Sequence, residues 1–276
     1  MSDRVSVAIS EGIADIRLNR PEKMNALDPA MFQALYETGR AVADDPDVRV
    51  VVLSGEGRCF SAGLDTSNFA AMAGGGGAGT GGGGRSLFDK PEGSAANYAQ
   101  QPGWIWRDLP VPVIAAVHGV AYGGGLQIAL GADIRFVAPD ARMSVMEIKW
   151  GLIPDMSGTQ TLRNLVRLDV AKDLTFTGRV VSGTEAGRIG MATYVTEQPL
   201  EDALAMARVI ASKSPSAIRT AKTLLNDSVV GSFEEGLARE ASFQAKLIGK
   251  PEQIETVKAQ LEGRPAAYAP SQQNKE

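Results

Sequence analysis

One cysteine and one histidine in 276 residues leave little room for disulfide or metal chemistry. Cys59 alone excludes an internal disulfide framework, and with His118 as the sole histidine a Cys/His metal site has too few ligands. The chain also lacks a basic excess. Lys and Arg total 28 against 32 Asp and Glu, a net charge of −4, and no basic run tracks a phosphate backbone, so a nucleic-acid partner is not expected. Uninterrupted apolar runs are all too short to cross a bilayer, and no charged-then-apolar segment precedes the first strand-like run. The expectation is a protein of the cytoplasm without a membrane partner. A hydrophobic fraction of 44% over this length suffices for a full core, either one large domain or a domain with an appendage.

The pattern along the chain is that of an α/β protein. Val5–Ile9 and Ile13–Leu18 alternate around Glu11-Gly12 and predict a hairpin. Asp28 before Pro29 is an N-cap followed by proline at the first helical position, and Met31, Leu35 and Val42 share a helical face. That helix should stop before Asp44-Asp45-Pro46, with a buried strand over Val48–Leu53. Residues 74–84 hold nine glycines and too little side chain to pack, predicting a mobile loop over about 73–85. Its lysine-less ending at Arg85 speaks against a phosphate loop. Beyond Val181 helices dominate: Leu200–Ser212, Pro215–Asn226, Phe233–Gly249 and Pro251–Gly263, with Ser232 and Glu235 as a capping box. A division into a core over 1–198 and a helical region over 199–276 follows. Leu237, Phe243 and Leu247 on one helical face must pack on the sheet or on another subunit.

Chemistry concentrates between Pro112 and Gln160. Val113–Val117 predicts a buried strand, Leu126–Leu130 a buried helix, and Gly123-Gly124-Gly125 lies between them. The first N–H groups of a helix have no internal partner, and glycine lets an anionic oxygen approach them. Three glycines alone are equally a tight packed turn. They are accompanied, however, by Cys59-Phe60-Ser61-Ala62-Gly63-Leu64-Asp65 upstream and by Met143–Ile148 and Gly151–Gln160 downstream.

Together these blocks resemble the crotonase superfamily, the enoyl-CoA hydratases and isomerases, from about Leu18-Asn19-Arg20-Pro21 to Gly263-Arg264-Pro265. The resemblance implies a crotonase-like spiral of ββα repeats with a C-terminal helical trimerisation region, assembled as a homotrimer or a dimer of trimers. It implies an acyl-CoA thioester as substrate, with no cofactor and no metal, since coenzyme A belongs to the substrate. The thioester oxygen would lie between the N–H groups of Leu64 and Gly124, and the substrate would be bound along Lys23, Ala26, Ala62, Gly63, Leu64, Asp65, Gly124 and Gln127. Arg58, like Lys23, is either a phosphate contact or a solvated charge.

Glu147 matches the acid–base glutamate of hydratases and isomerases. The second hydratase glutamate falls at Gln127, whose amide orients but does not exchange a proton at neutral pH. Asp155 matches the aspartate of dienoyl-CoA isomerases, or else caps the helix that begins near Thr159. The resulting expectation is a family enzyme, a lyase or isomerase, that shifts or hydrates a double bond with isomerisation favoured. An ordinary hydratase with Glu147 as sole acid/base and a non-catalytic acyl-CoA-binding protein are the alternatives. His118 and Cys59 read as structural residues, and Trp104, Trp106 and Tyr122 as either acyl-pocket lining or core.

Overall fold

The computed structural model describes residues 3–65 and 86–269; the glycine-rich stretch expected to form a loop lies outside them. Strands β1 (Val5–Ser10) and β2 (Ile13–Leu18) pair antiparallel, with Val5 opposite Leu18 and Ser10 opposite Ile13. Glu11 and Gly12 close the turn, both with positive φ (52° and 79°), which suits the twist of a two-residue hairpin. Helix α1 (Pro29–Ala43) begins where the Asp28 side chain accepts from the Met31 N–H. It buries Met31, Leu35 and Val42 as the spacing requires.

From β2 onward the main sheet is parallel. β3 (Val50–Gly55), β4 (Val113–Val117), β6 (Ile134–Val137) and β9 (Tyr194–Val195) continue it in the order β1-β2-β3-β4-β6-β9. All six residues of β3 are buried, because both faces of the sheet are covered. Val51 and Leu53 point into the larger core with Leu35, Trp106 and Leu126. Val50 and Val52 meet Ile114, Phe136 and an alanine stripe, Ala203, Ala207 and Ala211, on helix α7 (Pro199–Ala211). Small side chains at a four-residue interval let that helix lie close on the sheet. The first helix after residue 198 thus completes the sheet's second face.

A smaller sheet, β5-β7-β8, holds β5 (Val120–Tyr122), β7 (Arg142–Ser144) and β8 (Val181–Ser182). Here the structure corrects the sequence reading. The strand over 113–117 does not run straight into a helix; His118-Gly119 turn the chain into β5 first, and only then does helix α3 (Gly124–Leu130) begin. Helix α2 (Gln101–Asp108) packs against α1 and α3, and helix α4 (Gly158–Leu165) against α3. Helices α5 (Leu168–Thr177) and α6 (Gly183–Ile189) lead to β9. Beyond α7 come α8 (Pro215–Ser228), α9 (Phe233–Ala245) and α10 (Pro251–Glu262). The Ser232–Glu235 capping box is present at α9. No residue of α9 is buried in the single chain, and Phe233 is 94% exposed. Buried Lys222 ties α8 down: its ammonium reaches Asp133 at 2.9 Å and the carbonyls of Trp106 and Val111 at 3.0 and 2.9 Å.

Candidate active site

Three backbone segments lie side by side at the centre of the predicted site. Residues 24–27 pair with 61–65: Ala62 N–H donates to Met24 C=O, Leu27 N–H to Gly63 C=O, and Asp65 N–H to Leu27 C=O. On the other side Ser61 N–H donates to Val120 C=O and Ser61 C=O accepts from Tyr122 N–H, which joins the same segment to β5. Asn25, fully buried with φ 52°, staples this frame. Its amide nitrogen donates to the carbonyls of Glu56, Cys59 and Phe60, and its oxygen accepts from Arg20 N–H. Ser61 Oγ adds a bond to Asn25 C=O at 2.8 Å and accepts from Gly63 N–H at 3.2 Å. Sequence reasoning overlooked both residues; the only local signal was Asn25 beside Met24, since asparagine tolerates the left-handed region.

Because Leu27 bonds to Gly63 C=O and Asp65 N–H, the N–H of Leu64 itself points away from Leu27, as strand alternation demands. Gly124 lies on that side. Gly63 has φ 85°, and a Cβ placed on it would stand 2.4 Å from Tyr122 O and 3.7 Å from Gly124 N. Only glycine permits this approach of the two segments. Gly124 opens α3, so its N–H has no intrahelical partner. Among the described residues neither the Leu64 nor the Gly124 N–H donates to a backbone carbonyl. Backbone N–H groups of this kind can receive an oxygen that gains negative charge.

Glu147 begins a short 3-10 turn (Glu147–Trp150) after β7. Gly123 N–H donates to Ser144 C=O, which sets the end of β7 beside the end of β5 and brings Glu147 against the glycine triplet. A Cβ on Gly123 (φ 51°) would lie 3.4 Å from Glu147 Oε1. That oxygen accepts from Gln127 Nε2 at 2.5 Å, while Oε2 is buried with no hydrogen-bond partner among the described residues. Burial pushes the Glu147 carboxyl above the ordinary glutamate range, and the nearby charge of Asp155 pushes the same way. Asp155 is solvent-exposed as a residue, yet the protein around its carboxyl raises it too, by desolvation. Helix α4 has Ser157 at its N-cap position with no side-chain cap bond, so Asp155 does not cap it.

Gln127 is 2% exposed, and both ends of its amide are engaged within the protein. The oxygen accepts from Met156 N–H and Gly158 N–H, each at 2.8 Å, and the nitrogen serves Glu147. Ala62, Gly63, Leu64 and Ala26 lie in the paired frame, with Gly63 and Ala26 buried. Asp65 is held by Arg20 at 2.7 Å, which locks the 61–65 segment to the 20–26 loop. Lys23 and Arg58 are exposed at the rim of that frame. His118 contacts Gly57 C=O through Nε2 at 2.9 Å. Cys59 is buried, and burial raises its thiol, which disfavours the nucleophilic thiolate. Trp106 is fully buried core, its indole N–H on Pro102 C=O. Trp104 and Tyr122 are half-buried.

Known proteins share this architecture and sequence. The enoyl-CoA hydratase/isomerase family profile matches residues 8–271. The mouse mitochondrial methylglutaconyl-CoA hydratase is 33% identical over 266 residues, covering 94% of this chain and 80% of that protein. The mouse mitochondrial Delta(3,5)-Delta(2,4)-dienoyl-CoA isomerase is 31% identical over 270 residues, covering 91% and 77%. Among solved structures, the enoyl-CoA hydratase of Bacillus anthracis superposes with a TM-score of 0.83 at 29% identity, covering 96% of this chain and 98% of that one.

Proposed function

The chain belongs to the enoyl-CoA hydratase/isomerase family, whose members are lyases and isomerases of acyl-CoA thioesters, and from that membership we propose that it moves a double bond along an enoyl- or dienoyl-CoA. The thioester oxygen is held by the N–H groups of Leu64 and Gly124. As a proton leaves the carbon chain, charge passes to that oxygen, and two preorganised donors stabilise the enolate; losing one such donor typically costs about 3–4 kcal/mol of barrier. One carboxylate of the pair Glu147 and Asp155 takes the proton. The other, in its acid form, delivers a proton farther along the chain, and solvent restores the starting protonation through exposed Asp155. Raised carboxyls that repel one another favour a pair carrying a single proton, the state this exchange needs.

The observation that carries the choice of isomerisation is the engagement of Gln127. Its amide carries no exchangeable acid and is already bonded at both ends, so the second acid or base is Asp155. Ordinary hydration, with Glu147 as sole acid/base, is the second reading, favoured by the hydratases among the relatives. A panel of enoyl-CoA and dienoyl-CoA thioesters, with products resolved as shifted alkene or hydroxyacyl thioester, tests the choice. Faster hydration overturns isomerisation, and turnover of no thioester points to a binding protein without chemistry. The coenzyme would run along Lys23, Ala26 and residues 62–65, with the Lys23 and Arg58 charges toward its phosphates. We further propose a homotrimer or dimer of trimers built through α8 to α10, since Phe233 and Leu237 are 94% and 65% exposed in the single chain. Among the described residues no helix is long and apolar enough to cross a membrane, and we place the enzyme in the cytoplasm.

A further inference from the structure

Gln127 is a buried polar side chain to which the proton-transfer scheme gives no step of its own. Its orientation follows from its partners. Two backbone N–H groups, Met156 and Gly158, converge on one end of the amide, so that end must be the oxygen, and the other end must be the NH2 group facing Glu147. Glu147 Oε1 is thereby an acceptor and cannot carry a proton toward Gln127. The buried and otherwise unpartnered Oε2 is what remains.

We propose that Gln127 is a positioning residue that makes Glu147 a one-sided acid/base: it ties down Oε1, leaves Oε2 as the proton-carrying atom, and pins the Met156–Gly158 backbone that follows Asp155. The inference deepens the proton-transfer reading above and rests on it. A donated hydrogen bond favours the ionised form of the carboxylate it meets, so Gln127 offsets part of what burial does to Glu147. A glutamate at 127 acts in the opposite sense. The Met156 and Gly158 N–H groups would keep that glutamate ionised, and its second oxygen would face Glu147 Oε1 with no proton between them. Glutamine therefore lets this site ionise Glu147 with one acidic proton fewer than a carboxylate pair requires.

The deciding measurement needs no substrate. Glutamate labelled with carbon-13 at Cδ is titrated by NMR in the folded protein, the Glu147 signal being assigned by its loss in Glu147→Gln. In Gln127→Met the midpoint should rise by about 1–2 pH units, the equivalent of losing one hydrogen bond to a charged group. In near-isosteric Gln127→Glu, with repulsion added, it should rise at least as far. The acid limb of kcat/KM should shift alkaline in parallel, and amide exchange at Met156 and Gly158 should accelerate in Gln127→Met alone. Should Gln127→Met not fold, the Gln127→Glu titration decides by itself. A Glu147 midpoint that stays at the wild-type value reduces Gln127 to a space-filling residue and overturns the proposal. A shifted midpoint in a protein that turns over no thioester would keep the positioning role and discard the reaction.

Discussion

Gly63→Ala probes the cradle without touching any side chain of the site. Two costs follow from the structure. Gly63 has φ 85°, where an L-residue gives up about 1–2 kcal/mol, and the new Cβ would begin 2.4 Å from the Tyr122 carbonyl oxygen. A carbon rests no closer than about 3.3 Å to such an oxygen, so the two segments must part by roughly 1 Å. The obstacle is backbone, tied on one side to Ser61 and on the other to Ser144, and does not swing away as a flexible side chain would. The opening moves Leu64 N–H relative to Gly124 N–H. Displacement on that scale costs on the order of 10²-fold in rate, close to the 10²–10³ of losing one oxyanion donor outright. Stability should fall as well, the strain at φ 85° alone accounting for about 2–6 °C in Tm. The assay is deuterium uptake at the carbon beside the thioester, followed by NMR in heavy water, with thermal unfolding as control. Undiminished exchange in a variant that carries the Tm loss would refute the cradle.

Glu147→Gln should raise Tm relative to wild type by a margin that widens as pH climbs above the ordinary glutamate range. A carboxyl raised on folding holds more proton in the native state than in the unfolded one, so the stability it contributes declines through that window; a constant margin contradicts the desolvation. Lys222→Met should cost about 1–3 kcal/mol in urea unfolding, since two buried carbonyls lose their donor and Asp133 keeps only the Val113 N–H; a loss under 1 kcal/mol denies the tie between α8 and the sheet domain. Light scattering should give a multiple of three subunits, and Leu237→Asp should reduce it; a monomeric wild type removes the docking role given to the tail.

Local chemistry was legible where a few adjacent residues decide the structure. Asp28-Pro29, the Glu11-Gly12 turn and the Ser232–Glu235 box act within three or four positions, and each forms as its sequence predicts. Glu147 and Asp155 were singled out by the family resemblance, and folding places them close enough for the charge of one to act on the other. Partners at a distance were not legible. Asn25 joins carbonyls 31 to 35 residues away, and Gln127 joins groups 20 to 31 residues away on separate turns. In the sequence Gln127 read as a missing acid and a substrate contact; in the fold its amide serves the glutamate and the chain next to Asp155. The reach of the tail was hidden for the same reason. Alanines 203, 207 and 211 are unremarkable until a flat sheet of Val50, Val52 and Ile114 lies beneath them.

The central claim, proton transfer by Glu147 and Asp155 across a cradled thioester, is tested most directly by turnover of a dienoyl-CoA in heavy water by wild type and Asp155→Asn. The account predicts a shifted double bond with deuterium at the receiving carbon, and a variant slowed roughly 10²–10⁴-fold in kcat with KM little changed. Hydroxyacyl-CoA forming faster than the shifted alkene, together with an Asp155→Asn enzyme of undiminished rate, would contradict it.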